Sequence, residues 1–150
     1  MRIRTARAAD GDCLVRLWVE LIDHHRALVP SLRHAVARPD RLQAEVDRGL
    51  RSADCRFFVA EVEEQVVGFL FVERETGASA GGGWLHEMYL QPDFRGRGAA
   101  DTIVDAGIAW LGRRGAERVS VRVEAANSEA FGFWRRQGFE ERAYVLERAV

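Results

Sequence analysis

Lysine is absent from this chain; all 22 basic residues among its 150 are arginine. That excludes lysine-based Schiff-base chemistry and self-acetylation on a lysine side chain. Cysteine is scarce. Cys13 and Cys55 are too few for a disulfide framework, lack metal-ligand spacing and sit in apolar surroundings that suit buried structural thiols. No apolar run approaches ~18 residues and no charged-then-apolar secretion signal opens the chain, which predicts a cytoplasmic protein. A net charge near −1 argues against a polyanion-binding surface, so neither nucleic acid nor membrane is an expected partner.

What is present suits one domain of ordinary core size, with 47% apolar residues over 1–150. Arg2 to Ala6 reads as a first strand. From Asp10 to Val29 the apolar residues Leu14, Leu17, Trp18, Leu21, Ile22, His25 and Leu28 recur at helical spacing. Asp10 or Asp12 would cap that helix, and Pro30 would end it. A second helix is expected from Pro39 or Asp40 to Leu50. Cys55–Val62 and Gln65–Glu75 read as a hairpin turning at Glu63 and Glu64.

Residues 76–83 form a flexible Gly-rich loop, Trp84–Leu90 a fourth strand and Gly98–Arg114 a third helix. Val119, Val121 and Val123 alternate along a fifth strand, Glu117–Glu124. A helix from Asn127 to Gly138 follows, and Phe139–Arg148 returns as a last strand. The order βααβββαβαβ makes strands four and five parallel, through a right-handed crossover, and the earlier strands mostly antiparallel.

One loop carries the chemistry. Gly96 and Gly98 let the backbone of Gln91–Ala100 curl so that several N–H groups point inward, and Arg95 and Arg97 flank them. The helix that follows adds free N-terminal donors and the positive end of its dipole. Those parts make a pyrophosphate seat. No Lys-Ser or Lys-Thr follows the glycines, so this is not a Walker loop, and the three glycines of a dinucleotide fingerprint are not placed after a first strand.

The pattern Arg95-x-x-Gly98-x-Ala100 instead resembles the acyl-CoA loop of the GNAT superfamily of N-acetyltransferases. Asn127, Ala130, Phe133, Trp134, Gly138 and Phe139 resemble that superfamily's second signature, Asn-x-x-Ala-x-x-(aromatic)-(aromatic)-x-x-x-Gly-Phe. Read alone, the second segment is an amphipathic helix with an aromatic stripe and a capping Asn. Together, with room for one helix and one strand between them, the two motifs carry the resemblance.

The resemblance implies a mixed α/β fold: a mostly antiparallel central sheet with splayed parallel strands four and five and helices on both faces. It implies acetyl-CoA as acyl donor, no metal, and direct attack by a primary amine of a small molecule or peptide in a ternary complex. Backbone groups of Met88, Tyr89 and Leu90 would hold the pantetheine arm. Arg95, Gly96, Arg97, Gly98, Ala99 and Ala100 would hold the pyrophosphate. Asn127 would bond the arm or brace strand five, and Trp134 would line the thioester end. Homodimers are common in the superfamily, which makes a homodimer an expectation of the same kind.

The catalytic groups depart from the family pattern. Trp134 stands where relatives often carry an acid Tyr, and indole N–H is too weak an acid to protonate a thiolate. Tyr144 and Tyr89 are the only tyrosines, and either Tyr144, on a last strand bordering the cleft, is the acid or, as expected for a thiol that already leaves well, the thiolate meets solvent. Where several relatives carry a basic Glu the chain has His86, followed by Glu87. In a regular strand these two point to opposite faces, so either one, or water, is the base; a bulge would change which. A histidine with its ordinary pKa of roughly 6.5 suits that work. His25 is cleft-lining or buried, a candidate for the acceptor side. Two other readings stay open: a CoA-binding regulatory module that has lost its acid, and an enzyme of the same fold using a longer acyl-CoA.

Overall fold

A computed structural model of the chain describes residues 1–33 and 36–150. The loop joining the first two helices includes residues 34 and 35, which lie outside the described residues. The elements are β1 (Arg2–Thr5), α1 (Gly11–Leu28), α2 (Pro39–Arg51), β2 (Cys55–Val62), β3 (Gln65–Arg74), β4 (Gly82–Leu90), α3 (Ala99–Gly112), β5 (Arg118–Val121) and α4 (Ser128–Arg136). They build one sheet in the order β1-β2-β3-β4-β5. Every pairing is antiparallel except β4 with β5, which is parallel. No helix among the described residues is long and apolar enough to cross a membrane.

The middle strands are apolar on both sides because both sides are covered. Phe57, Val59, Phe69 and Phe71 meet Leu14, Leu17 and Trp18 of α1 and Val46 of α2. Phe58, Leu70, Val72 and Leu85 meet Ile103, Val104 and Leu111 of α3 on the opposite face. Trp18 lies within 6.1 Å of Phe57, Phe69 and Phe71, ring centre to ring centre, and Phe57 stacks on Phe71 at 4.4 Å. α1 presents Leu14, Leu17, Trp18 and Leu21 from one stripe, as its spacing predicts. The β2–β3 turn falls on Glu63 and Glu64, which adopt left-handed φ values of 48° and 64°. A two-residue hairpin turn matched to strand twist demands those angles, and two glutamates accept them at some cost.

Three expectations are corrected. Asp10 stands at the head of α1 but its side chain does not cap it. The carboxylate instead accepts from the Arg7 N–H at 2.6 Å and from both terminal nitrogens of Arg4, at 2.8 and 3.0 Å. The fifth strand spans four residues rather than 117–124. The last strand, Phe139–Arg148, does not form; residues 140–150 are exposed and contribute nothing to the sheet. A strand needs a neighbour for its backbone groups, and β5, which bounds the sheet, pairs only with β4 among the described residues.

Close packing of α2 on the sheet depends on Gly49. A Cβ there would run into the ring of Phe57 and come within 2.9 Å of Phe71. Gly49→Val is therefore expected to destabilise the fold by about 1–3 kcal/mol through overpacking. Gly112→Val, at the end of α3 where a Cβ meets nothing within 4 Å, should stay within about 0.5 kcal/mol of the parent. Urea unfolding of both variants checks the contrast.

Candidate active site

β4 and β5 pair over Gly82–Leu85 and Arg118–Val121, ending where Leu85 faces Val121. Beyond that point the two strands part. A cavity of about 690 Å³ occupies the gap, lined by residues 84–90, by the glycine loop, by α4 and by His24 and His25 of α1. Past Leu85, β4 has no strand partner on this side among the described residues.

A β-bulge sets which β4 side chains reach the cavity. Phe71 pairs with Glu87 and Val72 with Leu85, so His86 is the extra residue with no partner across the ladder. Glu87 opposite Phe71 and Tyr89 opposite Phe69 share the face covered by α1 and α2. His86 stacks on Phe71 at 5.6 Å and on Trp84 at 6.1 Å, so it serves the same face. A regular strand would have separated His86 from Glu87; the bulge brings both to one side. Their situations differ. The His86 Nε2 is 2.8 Å from the Glu73 carboxylate, which also accepts from Arg48 at 3.0 Å. Glu87 has no such partner among the described residues. Its burial, with the Glu124 charge nearby, pushes its pKa up to about 7.

His25 also lines the cavity. Burial, and then the neighbouring His24, hold its pKa below the ordinary imidazole value, while Glu124 opposes them. The balance favours the neutral ring.

The glycine loop does what its composition predicts. Gly96 and Gly98 take φ values of 72° and 76°, in the left-handed region that disfavours a side chain. A Cβ on either would meet nothing within 4 Å, so the loop leaves open space in front of its backbone. Gly98 caps α3 without a side chain, which leaves the first-turn N–H groups of the helix free. Arg95 lines the cavity. Its Nε donates to the Leu90 carbonyl at 2.8 Å and its guanidinium lies 5.7 Å over the Tyr89 ring. It ties the loop to the end of β4. Arg97 is exposed.

On the far wall, Asn127 is buried and its Oδ1 accepts from the Ala130 N–H at 3.0 Å, which starts α4. Trp134 is buried edge-on between Phe133 at 5.0 Å and Phe139 at 5.3 Å. Both residues line the cavity, as do Met88, Tyr89, Leu90 and Ala100. Tyr144 does not. It is 82% exposed, on a segment that never reaches the sheet, because the strand expected to carry it is not formed. Sequence reasoning missed Glu129 and Arg136 as lining residues. With Phe133 they follow i, i+4, i+7 spacing, a signal the motif's own residues overshadowed.

Residues 18–139 match the model of the Acetyltransferase (GNAT) family. The chain belongs to the GNAT family. A GNAT relative from Methanocaldococcus jannaschii, described as an uncharacterized N-acetyltransferase, is 34% identical over 97 residues, 59% of this chain. The chain spans 41% of that relative's length. Among solved structures, aminoglycoside N-acetyltransferase AAC(6')-Iy in complex with CoA superposes with a TM-score of 0.81 at 19% identity, covering 99% of this chain and 93% of that one. An aminoglycoside acetyltransferase from an uncultured soil metagenomic sample, in complex with sisomicin, gives 0.74 at 17% identity, covering 99% and 95%. At such identities these two likenesses show the GNAT fold.

In this GNAT chain the perturbed carboxyl carries a stability cost. Glu87 has a folded-state pKa of about 7 against an ordinary 4.5. Between those values the folded chain keeps a proton that the unfolded chain has released. Stability therefore falls as pH rises through that window. Glu87→Gln should be more stable than the parent above pH 7, on the order of 3 kcal/mol, and equal to it below pH 4.5. Thermal unfolding across that range measures the difference.

Proposed function

We propose that the protein is an acetyl-CoA-dependent N-acetyltransferase acting on a primary amine of a small molecule or peptide, with Glu87 as the general base. The observation that carries this reading is a buried carboxyl with a pKa of about 7, in the cavity where β4 and β5 part. A group poised near neutrality accepts a proton from an alkylammonium most effectively at working pH. Membership of the GNAT family and likeness to aminoglycoside acetyltransferases in CoA and sisomicin complexes support it.

An acyl-CoA fits the residues present. The space before Gly96 and Gly98 and the uncapped start of α3 suit a pyrophosphate, which backbone donors would bind. The unpaired side of β4 beyond Leu85 suits an extended amide-bearing arm. When bound, the cofactor supplies an activated acyl thioester. The chain's own residues do the rest. Glu87 and Glu124 attract a cationic acceptor, and Glu87 takes its proton, leaving a neutral nitrogen able to attack. His86, held by Glu73, braces the strand beneath it. Trp134 shapes the thioester end but donates no useful proton. With Tyr144 far outside the cavity, the departing sulfur takes its proton from solvent. The free thiols Cys13 and Cys55 fit a cytoplasmic setting.

Two variants test the cofactor seat by calorimetry. Gly98→Glu and Ala100→Glu each put negative charge against the pyrophosphate position and should abolish CoA binding while leaving the circular dichroism unchanged. Retained affinity in both would remove the reading. Glu87→Gln should lower turnover about 10²–10⁴-fold at neutral pH with CoA affinity near that of the parent. The parent's kcat/KM should rise with pH through about 7 as Glu87 ionises. CoA binding without any amine-dependent thiol release would instead identify a regulatory CoA-binding module.

A further inference from the structure

Trp84 and His86 make a rigid floor beside Glu87. Trp84 pairs with Glu73, two residues from the Phe71 that faces Glu87, so it shares the sheet face of His86 and Glu87. Its Nε1 donates to one Glu75 oxygen at 2.8 Å, and the other Glu75 oxygen accepts from Arg118 at 3.0 Å. Gly82 makes room for that carboxylate; a Cβ there would run into it. Glu73 holds His86, and the two ring planes lie within 14° of each other. Both residues line the cavity. With both rings tethered, a flat surface exists before any acceptor arrives, and little side-chain freedom is lost when one binds.

At the edge of this floor stands a cation with no counter-charge. The last pair between β4 and β5 joins Leu85 to Val121, so Arg122 is the first residue past the ladder. Val121 and Val123 belong to the core under α3. Alternation sends Arg122 to the opposite face, where its guanidinium carbon lies 6.0 Å from the Trp84 ring centre. Arg122 is exposed and lines the cavity. Other arginines on this face are committed, Arg118 to Glu75 and Arg48 to Glu45 and Glu73. Arg122 pairs with no carboxylate among the described residues.

The wall of the opening therefore carries both signs of charge. Glu87 and Glu124 line it and suit the ammonium of an acceptor. Arg122 suits an anionic group on the same molecule, through charge-assisted hydrogen bonds. For a purely cationic acceptor the free guanidinium is a liability, because like charges repel more strongly in a cavity than in bulk water. A carboxylate carried by the acceptor removes that repulsion. The π-faces of Trp84 and His86 favour a planar side chain over a branched one.

We propose that the acceptor is an amino carboxylic acid with a flat side chain: its carboxylate lies on Arg122, its side chain on the Trp84–His86 floor and its amine toward Glu87. Arg122 and Trp84 are then specificity-determining residues. The role of this molecule as acceptor rests on the acetyltransferase reading above; its binding is measured separately.

Calorimetry on the CoA-saturated protein reads that binding without turnover. Phenylalanine should bind about tenfold or more tightly than phenylalaninamide, the gain expected of a charge-assisted bond. Arg122→Gln should erase the difference, and Arg122→Lys should restore part of it. Trp84→Leu should weaken the binding of phenylalanine more than that of alanine. Equal or tighter binding of the amide by the parent, a difference that survives Arg122→Gln, or no binding of either compound overturns the proposal. If a variant fails to fold, the parent's preference still decides. Thiol release from acetyl-CoA over the same compounds separates the two readings: the expected binding pattern with no thiol release would support this site and remove the acetyltransferase reading alone.

Discussion

The parting of β4 from β5 beyond Leu85 and Val121 is the constraint on which the rest depends. Four paired residues hold the parallel strands together before the ladder ends. On one side of the gap the bulge at His86 shifts the phase of β4 and brings Glu87 to the cavity. On the other, Phe133 and Trp134 of α4 line the opening, with Phe139 packed against Trp134 in the same cluster as the α3 side chains. Close the gap and the cavity, the free edge of β4 and the exposed start of α3 lose their common focus.

The cavity is built at a cost to stability. A carboxyl held near pH 7 inside a cavity is a costly placement, and the left-handed loop glycines contribute no side-chain packing. Two layered cores offset this. The aromatic cluster of Trp18, Phe57, Phe69 and Phe71 anchors one sheet face, and α3 seals the other through a close approach at Gly107, where a Cβ would come within 2.8 Å of Leu70. The strained parts are confined to the cleft and one hairpin turn, so rigid elements position the reactive ones.

Much of this was legible in the sequence because its causes are local. The helical stripe of α1, the hairpin, the curled glycine loop and the Asn127 cap each arise from residues within a few positions of one another. The bulge was not legible: it depends on how β4 registers against β3, a pairing between residues far apart in sequence. The face that each of His86 and Glu87 serves therefore could not be read from strand alternation. Nothing local shows that Arg95 reaches the Leu90 carbonyl, a contact that depends on how the loop folds back on β4. The last strand failed for a similar reason. Its apolar run has strand composition, but a strand also needs an edge within reach, and that is a property of the whole fold.

The central claim is that the unpaired side of β4 and the glycine loop together seat an acyl-CoA. Amide hydrogen exchange with and without CoA tests it most directly, residue by residue. CoA should slow exchange across residues 86–90 and 96–102 and leave β1, β2 and α2 unchanged. Protection absent from both segments, or centred on the α2 face of the sheet, would contradict the account.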